Sequence, residues 1–242
     1  MAEDLSKIDV AILCGGSGNR LRSAIGESQK VMAKMGESPF LDFLLNDLID
    51  QGFKRFILMT GYKAEAVEEY YRRKKSGAQF EFSRETQPLG TGGALKNAGR
   101  LIQSDPFICM NGDSFCSLNY KDLIRFFCSK NSPGAIAVSK IDDKKDYGTI
   151  ILDDSRRIVG FKEKIKDPSA TGNALYANAG VYCLSRGIFK FMPDAKKFSL
   201  ETDFFPALTK EKIFGFETKG NFLDIGTPER FQKARQSILK KR

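Results

Sequence analysis

A chain of 242 residues with 41% hydrophobic content is long enough to bury the core of one α/β domain, and its 29% charged residues are ordinary for a globular protein. The complete lack of histidine rules out Ser-His and Cys-His catalysis and histidine-ligated metals within this chain. No apolar run approaches the ~18 residues of a membrane span, and the net charge of +9 points to anionic partners, either macromolecular or small.

The start, Met1-Ala2-Glu3-Asp4-Leu5, lacks the basic opening and apolar core of a signal peptide. Five cysteines, an odd number without paired spacing, fit a reducing cytoplasm better than a disulfide framework, and they suggest no zinc site. The basic runs Arg72-Arg73-Lys74-Lys75 and Lys240-Lys241-Arg242 read as solvated helix ends. No interleaving of aromatic and basic residues marks a nucleic-acid surface. The expectation is a cytoplasmic protein that takes small anionic ligands, with no nucleic acid and no membrane as partner. A homo-oligomer is left open.

Residues 10–13 form a short apolar run suited to a buried strand. Gly15, Gly16 and Gly18 follow it at once. Such a loop lets a ligand approach the backbone, and its N–H groups attract anions. Arg20, Arg22 and, further on, Lys30 add cations suited to phosphate oxygens. The dinucleotide fingerprint is excluded, because Gly16-x-Gly18 lacks the third glycine. The Walker loop is excluded, because Gly18-Asn19-Arg20 lacks its Gly-Lys-Ser/Thr.

Apolar spacing predicts a helix over 40–51 that stops at Gly52, a strand over 56–59, and a helix over 63–75 with Gly77 beyond it. A strand over 80–82, a helix over 91–103 and a strand over 107–110 follow. Alternating strands and helices argue for a doubly wound parallel sheet, with its ligand crevice beyond the carboxyl ends of the strands. From residue 135 strands come faster, over 135–139, 147–152, 157–161 and 178–184, so part of the sheet is antiparallel or mixed. A closing helix over 228–239 has Thr227 as N-cap and Pro228 in its first position. The predicted fold class is α/β, a single domain with a doubly wound mixed, mostly parallel sheet.

The chemistry-bearing stretches lie at strand ends. Ile108-Cys109-Met110-Asn111-Gly112-Asp113 and Phe222-Leu223-Asp224-Ile225-Gly226-Thr227-Pro228 each end an apolar run in an acid. Two carboxylates with few other ligands suit Mg2+, which keeps waters and takes further oxygens from phosphates. If both acids end neighbouring parallel strands, their carboxylates share one crevice and repel each other until a cation binds. In Glu85-Thr86-Gln87-Pro88-Leu89-Gly90-Thr91-Gly92-Gly93-Ala94-Leu95, a base can be read by Gln87 and by backbone left uncovered at Gly90 or Gly92.

Leu13-Cys14-Gly15-Gly16-Ser17-Gly18-Asn19-Arg20-Leu21 resembles the signature loop of the sugar-1-phosphate nucleotidyltransferases, Leu-Ala-Gly-Gly-x-Gly-x-Arg-Leu. In that family a lysine follows, usually between prolines. Here Gln29-Lys30-Val31-Met32 keeps the lysine without either proline, which suggests a looser loop before nucleotide binds. Gly112-Asp113 and Asp224-x-Gly226-Thr227 resemble the family's metal motifs. Phe161-Lys162-Glu163-Lys164 resembles its Phe-x-Glu-Lys, and Asn178-Ala179-Gly180-Val181-Tyr182 the strand lining its sugar pocket. Glu201-Thr202-Asp203-Phe204-Phe205-Pro206 resembles the helical segment before the last motif. Pro-Leu-Gly-Thr-Gly-Gly-Ala-Leu looks most like guanylyltransferases acting on mannose-type sugars.

The resemblance implies a Rossmann-like, glycosyltransferase-A-like fold. Residues about 8–133 would form a nucleotide-binding half, about 134–226 a sugar-phosphate half and about 227–242 a closing helix. It implies the reaction of an NTP with a sugar 1-phosphate to give an NDP-sugar and pyrophosphate. Gly15, Gly16, Ser17, Gly18 and Arg20 would hold the triphosphate, and Gln87, Gly90 and Gly92 the base. Lys30 would bridge the α-phosphate and the attacking group. Asp113 and Asp224 would hold Mg2+. Glu163 and Asn178 would bind sugar hydroxyls, and Lys164 the sugar phosphate. Among the branches, the chain looks most like the D-glycero-α-D-manno-heptose 1-phosphate guanylyltransferases, which use GTP. Mannose 1-phosphate guanylyltransferase, glucose 1-phosphate thymidylyl- or uridylyltransferase and a non-catalytic nucleotide-sugar-binding subunit are the alternatives.

Overall fold

A computed structural model describes residues 4–140, 149–162, 175–220 and 222–239. β1 (Asp9–Cys14) leads through the short helix α1 (Arg22–Ile25) and the ribbon β2 (Lys34–Met35) and β3 (Ser38–Pro39) into α2 (Phe40–Gln51). β4 (Arg55–Thr60), α3 (Ala64–Arg73), β5 (Gln79–Arg84), α4 (Gly90–Ala98) and β6 (Phe107–Asn111) then alternate. Next come β7 (Ser114–Cys116), α5 (Tyr120–Cys128), β8 (Gly134–Lys140), β9 (Thr149–Leu152), β10 (Ile158–Lys162) and β11 (Leu175–Leu184). α6 (Phe205–Ala207), β12 (Phe214–Thr218), β13 (Phe222–Asp224) and α7 (Pro228–Leu239) complete the order.

The main sheet runs β10-β9-β11-β6-β1-β4-β5, with β8 joined to β11 and β12 joined to β8. β5, β4, β1 and β6 form the parallel block. β11 closes it antiparallel to β6 and carries the mixed part of the sheet. β1 sits inside the parallel block because it is apolar on both faces. Val10 and Ile12 pack with Leu41, Leu44 and Val67 on one side, while Ala11 packs with Leu95 and Ala98 on the other.

The predicted helix over 91–103 ends at Ala98. The next turn is claimed by a part-buried ion pair at the amino-terminal ends of β1 and β4, opposite the end that carries the glycine loop. Arg55 donates to Asp9 at 2.8 Å and to the Leu101 carbonyl at 2.9 Å, and Asp9 accepts from the amides of Gln103 and Ser104 at 2.6 and 3.0 Å. The Arg72-Arg73-Lys74-Lys75 run is partly structural: Arg72 lies over the Phe82 ring, and Lys74 pairs with the buried Asp42 at 2.6 Å.

β11 bends at Gly180, whose φ of +69° only glycine takes without strain. Its register shifts there, so the first half pairs with β9 and the second half with β6. A third apolar cluster sits behind the glycine loop. Phe231, Ala234 and Ile238 of α7 pack there on Leu21, Met35 and Ile225. The predicted closing helix therefore braces both the loop after β1 and the chain after Asp224.

Candidate active site

The carboxyl ends of β1, β4, β5 and β6 open into one cleft of about 610 Å³. Its walls include Gly15, Gly16 and Ser17 after β1, Tyr62 after β4, Glu85 and Gln87 after β5, and Asn111 and Asp113 after β6. The crevice thus lies where a doubly wound sheet places it.

Lys30 stands at the floor of this cleft. Its side chain is only 11% exposed, and Nζ lies 2.5 Å from Asp113 Oδ2. Gly18 makes the approach possible. Its φ is +61°, and a Cβ there would come within 3.0 Å of Lys30 Cβ. In place of the prolines, the lysine loop is tied down by a glutamine side chain. Gln29 is buried, donates from Nε2 to the Cys14 carbonyl, and accepts from the Val31 amide at 2.6 Å. Burial raises the Cys14 thiol well above its ordinary range, with the Asp113 charge adding to it, so this sulfur is no nucleophile.

The two acids meet differently from expectation. Asp113 lies in the turn after β6, but Asp224 ends β13, which pairs antiparallel with β7 in a separate two-stranded ribbon. Asp224 is in register with Ser114, and the Ile225 amide donates to the Asp113 carbonyl at 3.1 Å. The acids are therefore joined through a ribbon and are not parallel neighbours. Neither faces the other as a bare charge. Asp113 pairs with Lys30, and Asp224 with Arg230 at 2.9 Å while accepting the Gly226 amide.

Among the described residues no cluster of three or more acid or cysteine side chains could cage a metal. Asp113 lines the cleft, whereas Asp224 does not and is held by Arg230. One carboxylate at the cleft, with a second reached only if Asp224 leaves Arg230, fits a hard cation that takes its other oxygens from phosphate and water, as Mg2+ does.

The base loop departs from expectation at Gly92. Gly90, with φ +73°, lines the cleft. Gly92 is buried, its amide donates to the Phe198 carbonyl at 3.0 Å, and a Cβ would collide with the Phe198 ring. Its missing side chain serves packing, and its amide is already used. Arg20 is exposed on the turn after the loop and does not line the cleft. Glu163 and Lys164 lie outside the described residues.

Asn178 is half-buried and already bonded: Nδ2 donates to the Tyr182 hydroxyl at 3.1 Å, and Oδ1 accepts the Gly180 amide at 2.8 Å. Tyr182 in turn donates to Glu201 at 3.2 Å, and Glu201 accepts from Thr91 at 2.6 Å and from Ser199 at 2.8 Å. This chain ties β11 to the first turn of α4. Sequence reading gave Tyr182, Glu201 and Thr91 no individual role, because three segments meet here that lie far apart in the chain.

Glu85 is a further cleft residue to which the sequence assigns no role. Its carboxylate lies against Gly15 and Gly61, where a Cβ at Gly15 would come within 2.8 Å of Oε1. Oε2 accepts the Leu89 amide at 3.1 Å, and burial raises the carboxyl above its ordinary range against the lowering effect of that bond. Placement at the carboxyl end of β5 was the one signal available.

Comparison with known proteins agrees with this architecture. The nucleotidyl transferase family model matches residues 10–241. The D-glycero-α-D-manno-heptose 1-phosphate guanylyltransferase of Aneurinibacillus thermoaerophilus is 35% identical over 96% of this chain and 98% of its own length. The enzyme of that name from Campylobacter jejuni is 33% identical over 90% of this chain and 94% of its own. The crystal structure of HddC from Yersinia pseudotuberculosis, complexed with GMP-PN, superposes with a TM-score of 0.82 at 38% identity, covering 96% of this chain and 99% of that one. Glycine loop, buried lysine, strand-end acids and whole-length similarity agree: this chain is an enzyme of the nucleotidyl transferase family.

Proposed function

We propose that the enzyme joins GTP and D-glycero-α-D-manno-heptose 1-phosphate to give the GDP-sugar and pyrophosphate. The observation that carries this reading is the buried Lys30 ammonium, set between the glycine loop and Asp113 at the floor of the cleft. A fixed cation there suits a reaction between two anions, where positioning and charge stabilisation are the main tasks. The amides of Gly15, Gly16 and Ser17 would cradle the β- and γ-phosphates. A sugar phosphate oxygen would attack the α-phosphorus in line, and pyrophosphate would leave on the opposite side. That oxygen is already anionic near neutral pH, so the absence of histidine is no obstacle.

Lys30 would hold the α-phosphate and the incoming oxygen together. Asp113 and Asp224 would hold Mg2+, which when bound neutralises phosphate charge. Gln87 and the open backbone at Gly90 would face the base. Guanine carries adjacent N1–H and N2–H donors, and the Glu85 carboxylate is an acceptor suited to that edge. Asn111 lines the cleft and its buried Oδ1 has no hydrogen-bond partner, so a substrate hydroxyl would satisfy it only after the side chain turns outward. Glu163 and Lys164 keep their expected roles toward sugar hydroxyls and sugar phosphate. Exposed Arg20 would reach the triphosphate only by swinging inward. The odd cysteine number supports a cytoplasmic setting.

The test is pyrophosphate release with a matrix of NTPs and sugar 1-phosphates. The reading expects the highest kcat/KM for GTP with the heptose phosphate. A higher value for GTP with mannose 1-phosphate, or for UTP or dTTP with glucose 1-phosphate, would reassign the substrate. Nucleotide-sugar binding without turnover would make the protein a binding subunit.

A further inference from the structure

We infer that Gln29 is a positioning residue that sets Lys30 for the reaction; the inference rests on the role proposed for Lys30. Gln29 is 2% exposed, so its amide has left water and depends on its partners in the protein. Both ends are used. Nε2 donates to the carbonyl of Cys14, the last residue of β1 before the glycine loop. Oε1 accepts the amide of Val31, the residue after the lysine, at 2.6 Å. One planar group thus bridges the start of the loop and the turn that carries Lys30.

The geometry leaves the lysine little freedom on either side. The backbone of Gln29 is extended, with φ −66° and ψ 137°, and a 3₁₀ turn over Lys30–Met32 begins directly after it. The Met32 amide bonds back to the Gln29 carbonyl at 3.0 Å, and the Ala33 amide to the Lys30 carbonyl at 3.1 Å. The turn is internally bonded, and Gln29 is the side chain that fastens it to the end of β1. A shift of the turn would move Nζ relative to the loop amides. Misplacement of a reacting group by about 1 Å is enough to cost on the order of 10²-fold in rate.

A residue of purely structural worth would affect folding and would slow the enzyme whether or not the lysine were present. A residue acting through Lys30 has no further effect once the lysine is gone. The experiment compares Gln29→Met, Lys30→Ala and the double variant by pyrophosphate release, with melting temperature and the KM of each substrate. Methionine keeps the length and burial but makes neither bond.

In Gln29→Met, kcat should fall about tenfold or more with both KM values within about twofold. In the Lys30→Ala background the same change should alter kcat by less than about twofold. Wild-type kcat in folded Gln29→Met overturns the inference, as does an undiminished loss in the Lys30→Ala background. If Gln29→Met does not fold, Gln29→Glu serves in the same comparison, since it keeps an acceptor for the Val31 amide. Lys30→Ala with wild-type kcat would instead sink the role given to the lysine, and this inference with it. Loss in Lys30→Ala without loss in Gln29→Met sinks this inference alone.

Discussion

Lys30 and Asp113 are 83 positions apart in the chain, yet their charged groups lie 2.5 Å apart at the floor of the cleft. The pair is lopsided: the lysine side chain is 11% exposed and the aspartate 37%. The aspartate can therefore turn to water or to a cation when nucleotide arrives, while the lysine stays in place. Lys30→Ala should lower kcat by about 10²-fold or more, because the fixed charge at the reacting phosphorus is lost. The melting temperature should move by no more than about 3 °C, since the remaining carboxylate can be hydrated. Pyrophosphate release at saturating substrates and a thermal melt check both statements. Near wild-type kcat would remove Lys30 from the mechanism.

The partners of the two acids change what their neutralisation should do. Repulsion between bare carboxylates would make Asp→Asn variants more stable without metal. Instead Asp113 holds Lys30, and Asp224 holds Arg230 and the Gly226 amide. Asp224→Asn should lower the melting temperature by about 2–4 °C, the equivalent of a partly buried pair worth about 1 kcal/mol. It should also cut turnover and raise the Mg2+ concentration needed for half-maximal rate. Asp113→Asn should do the same to turnover, and the double variant should be little worse than the poorer single one. Full turnover with an unchanged Mg2+ profile in either single variant would reduce that acid to a turn residue.

What the sequence made legible follows from locality. The glycine loop and Asp113 each sit within a few residues of a strand end, so period and composition locate them, while Lys30 lies well beyond β1 and its place follows from the family resemblance. Asp224 ends a ribbon strand and not a strand of the main sheet, a placement its local sequence does not show because β13 pairs with β7, far away in the chain and in register at Ser114. α4 ends earlier than its apolar spacing predicts because Asp9 and Arg55, at the starts of β1 and β4, capture its next turn. α5 follows no expectation from apolar spacing, although Asn119 caps it, with Oδ1 accepting the Lys121 amide at 3.0 Å. In the sequence Gln29 stands only where the family has a proline. The two backbone groups that it satisfies are visible only once β1 and the lysine turn lie side by side.

Two glycines of similar appearance should separate cleanly on substitution. Nothing lies within 4 Å of where a Cβ at Gly16 would sit, and the residue is exposed on the cleft wall. Gly16→Ala should leave the melting temperature unchanged and raise KM for the NTP, by crowding the triphosphate path. At Gly92 a Cβ would meet the Phe198 ring inside the protein. Gly92→Ala gains about 1 kcal/mol of helix propensity but costs on the order of 1–3 kcal/mol of overpacking. It should therefore lower the melting temperature while leaving KM for the NTP near normal. The reverse assignment of effects would restore Gly92 to the base site and remove Gly16 from the phosphate cradle.

Glu85 gives the base assignment a pH signature. Burial holds its carboxyl above the ordinary value of 4.5, and the Leu89 amide offsets this only in part. The sign for the enzyme without ligand follows from linkage. A raised carboxyl contributes stability that is fully present in acid, below the unfolded value, and is lost as pH rises through the folded value. Glu85→Gln should thus melt no lower than wild type at neutral pH, and its advantage should vanish on acidification. Function should run the opposite way. The ionised carboxylate accepts the guanine N1–H and N2–H donors, and protonation removes one acceptor position. For the wild type, kcat/KM for GTP should fall as pH drops through a value above 4.5, in addition to any titration of the sugar phosphate. Glu85→Gln shares the substrate's titration and lacks its own, so its acid limb should be shallower. It should also discriminate less between GTP and ITP, which lacks the 2-amino group. Superimposable pH profiles of kcat/KM in the two proteins, with the same GTP-to-ITP ratio, would show that Glu85 braces the glycine loop and does not read the base.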